Sequence, residues 1–220
     1  MDNFAGLWLT DYIGSFLAAG GNGVYYFNYL PVSSDLGCGN SPGTFGMFHT
    51  DRDYTKLQPL AQFFASVLIN TQWIEPGSGM HEMFSSTPTL NDGAGHALVT
   101  AYTLKRPDGQ YSVMLVNRDQ NAAHAIHIVF EDAAVHSRSA FTGDVDTAVF
   151  GREQYAWHPG PVRPMAHPSQ LGEMVVTPDT GYADPDGPPK YTKLPMAGDT
   201  PVTVPAASIM VVRGHIAPIS

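Results

Sequence analysis

The hydrophobic period of this sequence changes after Glu75-Pro-Gly, and that change limits the folds that the chain can adopt. Before it, apolar residues recur at helical spacing; after it, apolar and polar residues alternate in a series of short runs. A period near 3.6 residues is typical of helices, and a period of two is typical of half-buried strands. With 22 Gly and 18 Pro, the sequence also favours many turns over long helices. We therefore predict a mainly β fold, an antiparallel β-sandwich preceded by a partial α/β segment.

The residues before this change predict a helix, a strand, a loop and a second helix. Residues 4–19 carry apolar side chains at roughly helical spacing and are followed by two glycines. Residues 24–29, VYYFNY, have the β-branched and aromatic character of a buried strand. A Gly-rich loop is expected at residues 37–46, and a second helix over residues 57–70, with Pro59 in its first turn.

The rest of the chain predicts eight or nine short strands, a number that suits two packed sheets. These strands are predicted at residues 80–86, 96–104, 111–117, 125–130, 139–142, 147–157, 173–177, 201–204 and 208–213. The proline-rich residues 159–201 are expected to form a long ordered loop or a wrapping segment. The domain boundary is accordingly predicted between residues 1–75 and residues 76–220.

The stretch SVMLVNRDQNAAHAIHIVFED, residues 112–132, reads as a hairpin, because two apolar runs flank a polar turn. Val113 and Leu115 point to one side of its first strand, and Met114 and Val116 point to the other. Both sides are apolar, so we predict that this strand lies in the middle of a sheet.

The charge of the chain favours a neutral partner. Its formal net charge is -9 with 11 Lys and Arg, whereas nucleic acids and anionic membranes attract clustered basic residues. No apolar run approaches the roughly 20 residues that a membrane span requires. Cys38 is the single cysteine, so no internal disulfide can form. The N-terminus lacks the basic start and cleavage site of a signal peptide, and the cellular compartment stays open.

Three segments of the predicted sandwich carry a resemblance to a known group of enzymes. They are MLVNRDQNAAHAIHIVF, AFTGDVD and the closing VTVPAASIMVVRG. Together with the preceding helix, strand, loop and helix, they resemble the C-terminal part of clan A glycoside hydrolases, in particular arabinofuranosidase-like and xylosidase-like members. In those enzymes a (β/α)8 barrel is followed by a β-sandwich. The resemblance implies that residues 4–19, 24–29 and 57–70 correspond to the last helix, strand and helix of the barrel.

The same resemblance leaves the catalytic residues unassigned. In this clan a Glu at the end of barrel strand four is the general acid/base, and a Glu at the end of strand seven is the nucleophile. Both would lie before Met1, and no Glu occurs before Glu75. Hydrolysis of a glycosidic bond requires two carboxyl groups at a defined separation, one to donate a proton and one to attack or to activate water.

Candidate residues remain on both sides of the predicted boundary. The end of the predicted strand at residues 24–29 would face the mouth of a barrel, where substrates bind, and Trp73 and Trp157 could stack on a sugar ring. Substrate binding is therefore assigned to Tyr26, Asn28, Tyr29 and Trp157. The acids in or beside strands, which are the available catalytic candidates, are Glu82, Asp144, Asp146, Glu153 and Glu173.

Several polar clusters invite a metal interpretation, and each has a simpler one. His124 and His127 are three residues apart, which puts them on opposite faces of a strand. The HTDRD segment that begins at His49 is interpreted as a run of polar surface residues before a helix. Asp184 and Asp186, in ADPDG, lack the spacing and final Glu of a calcium loop, so a proline-stiffened turn is expected. No metal and no cofactor is predicted.

Three functional hypotheses follow. The first is the C-terminal portion of a clan A glycoside hydrolase, without its catalytic glutamates and with a neutral saccharide as partner. The second is a complete small glycosidase with its own pair of carboxylates, and the third is a carbohydrate-binding module without catalysis. Because exposed apolar surfaces usually find a partner, we also expect the first 70 residues to pack onto the sandwich or across a homo-oligomer interface.

Overall fold

A computed structural model describes residues 2–26, 32–33, 46–50, 55, 57–77, 79–158, 162–169, 172–176 and 182–219. Helix α1 spans Phe4–Ala18, and helix α2 spans Ala61–Leu68 and continues as one π-helical turn, Ile69–Trp73. The prediction of a helix over residues 4–19 is confirmed. None of the described helices has the length and hydropathy needed to cross a membrane.

The described strands are short in the first half of the chain and longer in the second. The first eight are β1 Val32–Ser33, β2 Phe48–Thr50, β3 Leu57–Pro59, β4 Glu82–Phe84, β5 Val99–Lys105, β6 Tyr111–Asn117, β7 His124–Ile126 and β8 Val129–Asp132. The others are β9 Ser137–Gly151, β10 Tyr155–His158, β11 Val162–Ser169, β12 Gly172–Val176, β13 Tyr182–Asp186, β14 Lys190–Met196, β15 Val202–Val204 and β16 Ser208–Ile219.

A seven-stranded sheet is the largest that the described residues form. Its strand order is β14-β9-β16-β6-β5-β4, and β8 also pairs with the first part of β9. All of these pairings are antiparallel. Strand β6 lies between β16 and β5, which confirms the prediction of a central strand. Strands β7 and β15 pair with each other in a separate two-stranded sheet.

The helices cover one face of the seven-stranded sheet. Their shared core joins apolar residues of both helices to the sheet, among them Leu7, Phe64, Leu68, Trp73, Tyr102, Met114, Phe150, Tyr155, Ile209 and Val211. Gly14 lets α1 approach the sheet closely, because a Cβ there would lie 2.4 Å from the ring of Tyr102. The expectation that the front of the chain packs onto the sandwich is met on this face.

The small β15–β7 sheet lies against the other face. The second core consists mainly of branched side chains and includes Val113, Leu115, Phe141, Val145, Val202, Val204, Met210 and Val212. The chain is therefore an antiparallel β-sandwich preceded by a partial α/β segment, as predicted. The boundary between residues 1–75 and 76–220 stays a prediction, since the first core contains residues from both sides of it.

A polar tie fastens α1 to the sheet. The Asp11 carboxylate accepts a hydrogen bond of 2.5 Å from the Thr100 hydroxyl and one of 2.7 Å from the Tyr102 hydroxyl. The Arg118 guanidinium lies 3.7 Å from the second carboxylate oxygen. Burial, with the hydrogen bond to Asp11, raises the pKa of Tyr102 to about 12. The tie therefore contains a phenol that stays protonated at neutral pH.

The opposite side of α1 carries an exposed aromatic strip, which we define as Trp8, Tyr12 and Phe16. Their side chains are 64%, 48% and 39% exposed. The Trp8 and Tyr12 rings are 5.5 Å apart and nearly parallel, and the Tyr12 and Phe16 rings are 6.3 Å apart. Residues four apart share a helix face, so the three rings form one continuous apolar surface.

Some predicted elements near the front of the chain are wrong. Residues 24–26 are not in a strand, and residues 27–29 lie outside the described residues, as do most of the predicted loop at 37–46. Leu57–Pro59 forms strand β3 rather than a helical turn, because it pairs with β2. Helix α2 accordingly begins at Ala61, two residues after the proline.

Two predictions in the second half are also wrong. Residues 112–132 do not form a hairpin: β6 pairs with β5 and β16, while β7 pairs with β15 and β8 with β9. The proline-rich residues 159–201 are not a long loop, since they contain β11, β12, β13 and β14. Two of these, β13 and β14, hydrogen-bond to the strands β10 and β9, which overrides the turn preference of the local sequence.

Candidate functional site

Of the predicted substrate-binding residues, Tyr26 lies beside α2 and Trp157 lies beside strand β2. Tyr26 is half-buried and hydrogen-bonds to Gln62 of α2. Burial raises the pKa of Tyr26, and the hydrogen bond with Gln62 only partly opposes this. Asn28 and Tyr29, the other two predicted binding residues, lie outside the described residues.

Trp157 lies on β10, half-buried against the helix-side core. Its ring meets that of His49 edge-on, at 6.1 Å between centroids. His49 is itself 4% exposed and is paired across the hairpin with Gln58. Directly paired residues share a face of a sheet, so these side chains line the same side of the β2–β3 hairpin.

Gln58 connects this hairpin to the β10–β13 ribbon. It hydrogen-bonds to the carboxyl group of Asp186, the last residue of β13. We define the seam as His49, Gln58, Trp157 and Asp186. It combines an imidazole, an amide, an indole and a carboxyl group at the junction of the α/β segment with the ribbon, and such groups recur where saccharides bind.

The carboxyl group of Asp186 is perturbed although the residue is exposed at the surface. Partial burial raises its pKa, and the hydrogen bond from Gln58 opposes this only in part. The neighbouring Tyr155 is fully buried; burial, then the charges of Asp186 and Asp2, raise the pKa of its hydroxyl. Titratable groups shifted by burial and by a charged neighbour are typical of functional sites.

Sequence reasoning missed Asp186 because it was assigned to a proline-stiffened turn. The ADPDG segment instead ends strand β13, where Asp186 is paired with Tyr155. The polar residues of this segment gave no signal for the side that Asp186 faces, because that side depends on the register shift between β10 and β13.

Trp73 is not available to a ligand, which corrects its interpretation as a stacking platform. Its side chain is 0% exposed and lies in the helix-side core. Its indole N–H donates to the backbone carbonyl of Tyr102 at 3.1 Å. Trp73 therefore holds the sheet against the end of α2, through its packing in the core and through this hydrogen bond.

The acids predicted as catalytic candidates are spread over several elements. Glu82 lies on β4, Asp144 and Asp146 on β9, Glu153 in the turn after β9 and Glu173 on β12. Asp146 is already paired, 2.8 Å from Arg213 and 3.1 Å from Lys193. Burial raises its pKa, but hydrogen bonds from Lys193 and Arg213 outweigh burial and lower it. A carboxyl group with a lowered pKa is a poor proton donor.

Glu153 borders a groove of about 360 Å³ on the other face of the sheet. The groove exists because the three-residue strands of the β15–β7 sheet do not cover the β9–β14 end of the large sheet. Its apolar floor includes Val149 and Met210, and Lys190 and Thr192 stand at its side. None of the described residues that line it is Phe, Tyr or Trp, so they offer a sugar no aromatic stacking surface.

His124 and His127, for which the sequence favoured no metal, each lie beside a separate aspartate. His124 lies 2.9 Å from Asp119, and His127 lies 2.9 Å from Asp199. Among the described residues, no three His, Cys, Asp or Glu side chains are grouped as a metal ion would require. Both pairs fasten loops at the edge of the small sheet.

Comparisons with known proteins find a likeness in structure alone. No protein-family model and no curated protein matches the sequence. The catalytic domain of GH30 xylanase C from Talaromyces cellulolyticus has a TM-score of 0.52 and 14% identity, covering 98% of this chain and 35% of that chain. An α-L-arabinofuranosidase from Thermotoga maritima has a TM-score of 0.48 and 12% identity, covering 100% of this chain and 39% of that chain.

The chain thus spans little more than a third of the length of these two solved structures. At 14% identity the likeness to the xylanase establishes the fold and nothing about activity. The fold of this chain is similar to about a third of the catalytic domain of that GH30 xylanase.

Proposed function

We propose that this chain is the C-terminal portion of a clan A glycoside hydrolase, in which it binds a neutral saccharide without holding the catalytic carboxylates. In this proposal residues 1–75 are the end of a (β/α)8 barrel and residues 76–220 are the accessory β-sandwich. The observation that carries it is the xylanase likeness, which covers 98% of this chain and 35% of the other.

The distribution of the acids within the described part of the chain supports the absence of catalysis in the chain alone. Glycosidases hold two carboxyl groups about 5 to 9.5 Å apart, with environments that separate their pKa values. Asp146 is neutralised by two basic side chains, and Glu153 borders a groove with no other carboxylate in its lining. The seam provides one carboxyl group, Asp186, beside a tryptophan, which is a composition suited to binding.

The test of this proposal combines an activity assay with calorimetry on the purified chain. We expect no hydrolysis of a panel of aryl glycosides above the buffer rate, and measurable heat on titration with neutral oligosaccharides such as xylotetraose. Trp157→Ala should weaken that binding, whereas Trp8→Ala, an exposed tryptophan on α1, serves as its matched control. Flat titrations across the whole panel would remove the saccharide from the proposal.

A complete small glycosidase is the rival hypothesis, and the same assay separates the two. Hydrolysis that disappears in one of Glu82→Gln, Asp146→Asn or Glu153→Gln, and survives in the others, would favour the rival. The open reading frame around the Met1 codon tests the remaining part of the proposal. A continuous frame that encodes a barrel with two glutamate-bearing strand ends is the expected result.

The aromatic strip of α1 gives the proposal a second measurable consequence. In an intact barrel a neighbouring helix would cover Trp8, Tyr12 and Phe16, so the isolated chain is expected to cover them by self-association. Light scattering on a sizing column should detect a concentration-dependent dimer, which Trp8→Ser with Tyr12→Ser should shift to monomer. A monodisperse monomer of the unmodified chain at all concentrations would contradict this expectation.

A further inference from the structure

The β10–β13 ribbon contains a β-bulge that changes which side of the ribbon Asp186 faces. Tyr155 is paired with Asp186, and Trp157 is paired with Ala183. Two steps along β10 thus correspond to three steps along β13, so β13 has one extra residue in this interval. Residues three apart on a regular strand face opposite sides, but here Asp186 and Ala183 are both paired with residues of one side of β10.

That side of the ribbon is the apolar one. Tyr155 belongs to the helix-side core, and Trp157 and Ala183 pack against it. The bulge therefore turns a carboxylate toward a surface where every other paired residue is aromatic or aliphatic. A bulge that redirects one side chain is frequently found beside a binding or active site.

The residue after Asp186 holds this arrangement in place. Gly187 has a φ of +59°, and a Cβ there would lie 2.2 Å from the ring of Phe64. Its backbone N–H also donates to the carbonyl of Gln154 at 2.6 Å. Any side chain at position 187 would push the end of β13 away from α2, so the close approach that brings Asp186 to Gln58 depends on this glycine.

We propose that Asp186 and Gln58 form the polar half of a saccharide subsite whose apolar half is the edge of Trp157. The ligand is one ring of a neutral saccharide, with two adjacent hydroxyl groups bound to the Asp186 carboxylate and a third to the Gln58 amide. The proposal rests on the saccharide binding proposed above and assigns to it the residues that recognise the ring.

The chemistry of these groups matches such a ring on both of its surfaces. An ionised carboxylate accepts several hydrogen bonds, and a carboxamide both donates and accepts, so together they satisfy neighbouring hydroxyl groups. The indole contacts the C–H face of the ring. His49 is 4% exposed beneath Trp157 and supports it from the hairpin side. The hydroxyl of Tyr155, the residue paired with Asp186, lacks a hydrogen-bond partner among the described residues.

Calorimetry with the same oligosaccharide panel tests this assignment. Asp186→Asn keeps the shape of the side chain and removes its charge, and it should weaken binding of xylotetraose, or of whichever panel member binds best, by roughly tenfold or more. Gln58→Ala should weaken it by a smaller factor. Asp184→Asn is the matched control, because Asp184 is an exposed acid on the same strand, and it should leave the affinity unchanged.

The outcomes separate this inference from the function on which it rests. If the unmodified chain binds a saccharide and both Asp186→Asn and Gln58→Ala retain its affinity, the subsite is overturned and the proposed function stands. If Lys190→Gln abolishes binding while Asp186→Asn does not, the groove beside Glu153 is the site instead. If the unmodified chain binds no saccharide, the proposed function fails and the subsite fails with it. Circular dichroism and urea midpoints of each variant identify any loss that comes from unfolding.

Discussion

The two faces of the seven-stranded sheet are covered in different ways. The helix side is covered by α1, α2 and the ribbon, and its core contains the largest buried aromatic side chains, including Trp73, Phe150 and Tyr155. Among the described residues, the other side is covered mainly by two strands of three residues each, over a core of mainly branched aliphatic side chains. The helix side therefore has little free volume, while the other side leaves the groove beside Glu153 open.

This difference indicates on which side of a small sandwich a ligand-binding site can form. On the helix side, several elements meet at one margin, and their polar side chains converge at the seam. On the other side, too few elements meet to bring polar groups together, and a groove remains with an apolar floor. We expect stability to depend mainly on the helix side, and four substitutions test this in decreasing order of effect.

Trp73→Ala should have the largest effect on stability. It removes a fully buried indole and leaves the carbonyl of Tyr102 without its hydrogen bond. The expected loss is about 3–5 kcal/mol of unfolding free energy, measured by urea denaturation. Trp157→Ala, at the half-buried rim of the same core, should cost clearly less. Equal losses of unfolding free energy in the two variants would contradict the expectation that side chains at the centre of this core stabilise the fold more than those at its rim.

Asp11→Ala should come second, since it removes the tie between α1 and the sheet. The hydroxyls of Thr100 and Tyr102 both donate to Asp11, and the phenol would lose its acceptor in a half-buried position. We expect a loss of about 1–3 kcal/mol, and faster hydrogen exchange in α1. Asp11→Asn keeps an acceptor oxygen and should lose less than the alanine variant.

Val202→Ala tests the face of the large sheet that the β15–β7 sheet covers. Val202 is 1% exposed on β15 and packs in the second core. Removing two methyl groups should cost roughly 1.5 kcal/mol of unfolding free energy, which is the cost of their transfer to water. Because Val202 lines the groove, its neighbours can move into the vacated space, and no large additional cavity cost is expected. Urea midpoints give the comparison with Trp73→Ala. A loss of the same size as that of Trp73→Ala would contradict the asymmetry of the two faces.

Tyr102→Phe should have the smallest effect at neutral pH, about 0.5–1.5 kcal/mol for one hydrogen bond. Its informative region is alkaline. Because the folded pKa of Tyr102 is raised from 10.0 to about 12, its protonated form stabilises the fold below pH 10, and that contribution disappears as the pH rises to about 12. The unmodified chain should therefore lose more stability over this interval than Tyr102→Phe. Parallel curves for the two proteins would mean that the phenol is not shifted.

The sequence predicted the sandwich architecture because several of its strands are visible as local apolar or alternating runs. Residues 111–117 were predicted and observed as a strand with the same bounds, since a run that is apolar on both sides can only be stable inside a sheet. The partners of these strands were not predictable. The strands at 124–126 and 129–132 pair with distant elements, which depends on register and closure rather than on the intervening turn.

The candidate site was predicted only in part, and for a physical reason. Trp157 was predicted from its residue type and Tyr26 from its place at the end of a predicted strand, because aromatic side chains suit sugar rings; both stay predictions. Asp186 could not be identified, because its orientation depends on one extra residue in β13, and Gln58 could not, because Pro59 favoured a helix there. The side chains of the seam are thus brought together by pairings between distant strands, and the local sequence gives only weak signals for such pairings.

The pairing of strand β9 on both of its sides has a consequence for hydrogen exchange in the sheet. It pairs with β16 along most of its 15 residues, with β8 over its first part and with β14 over its second. The amides of β9 that hydrogen-bond to β16 lie in the interior of the sheet, whereas those that hydrogen-bond to β14 or β8 can be exposed when only that edge strand separates. In heavy water the first group should therefore take up deuterium last, and its exchange rate should report the opening of the whole sheet.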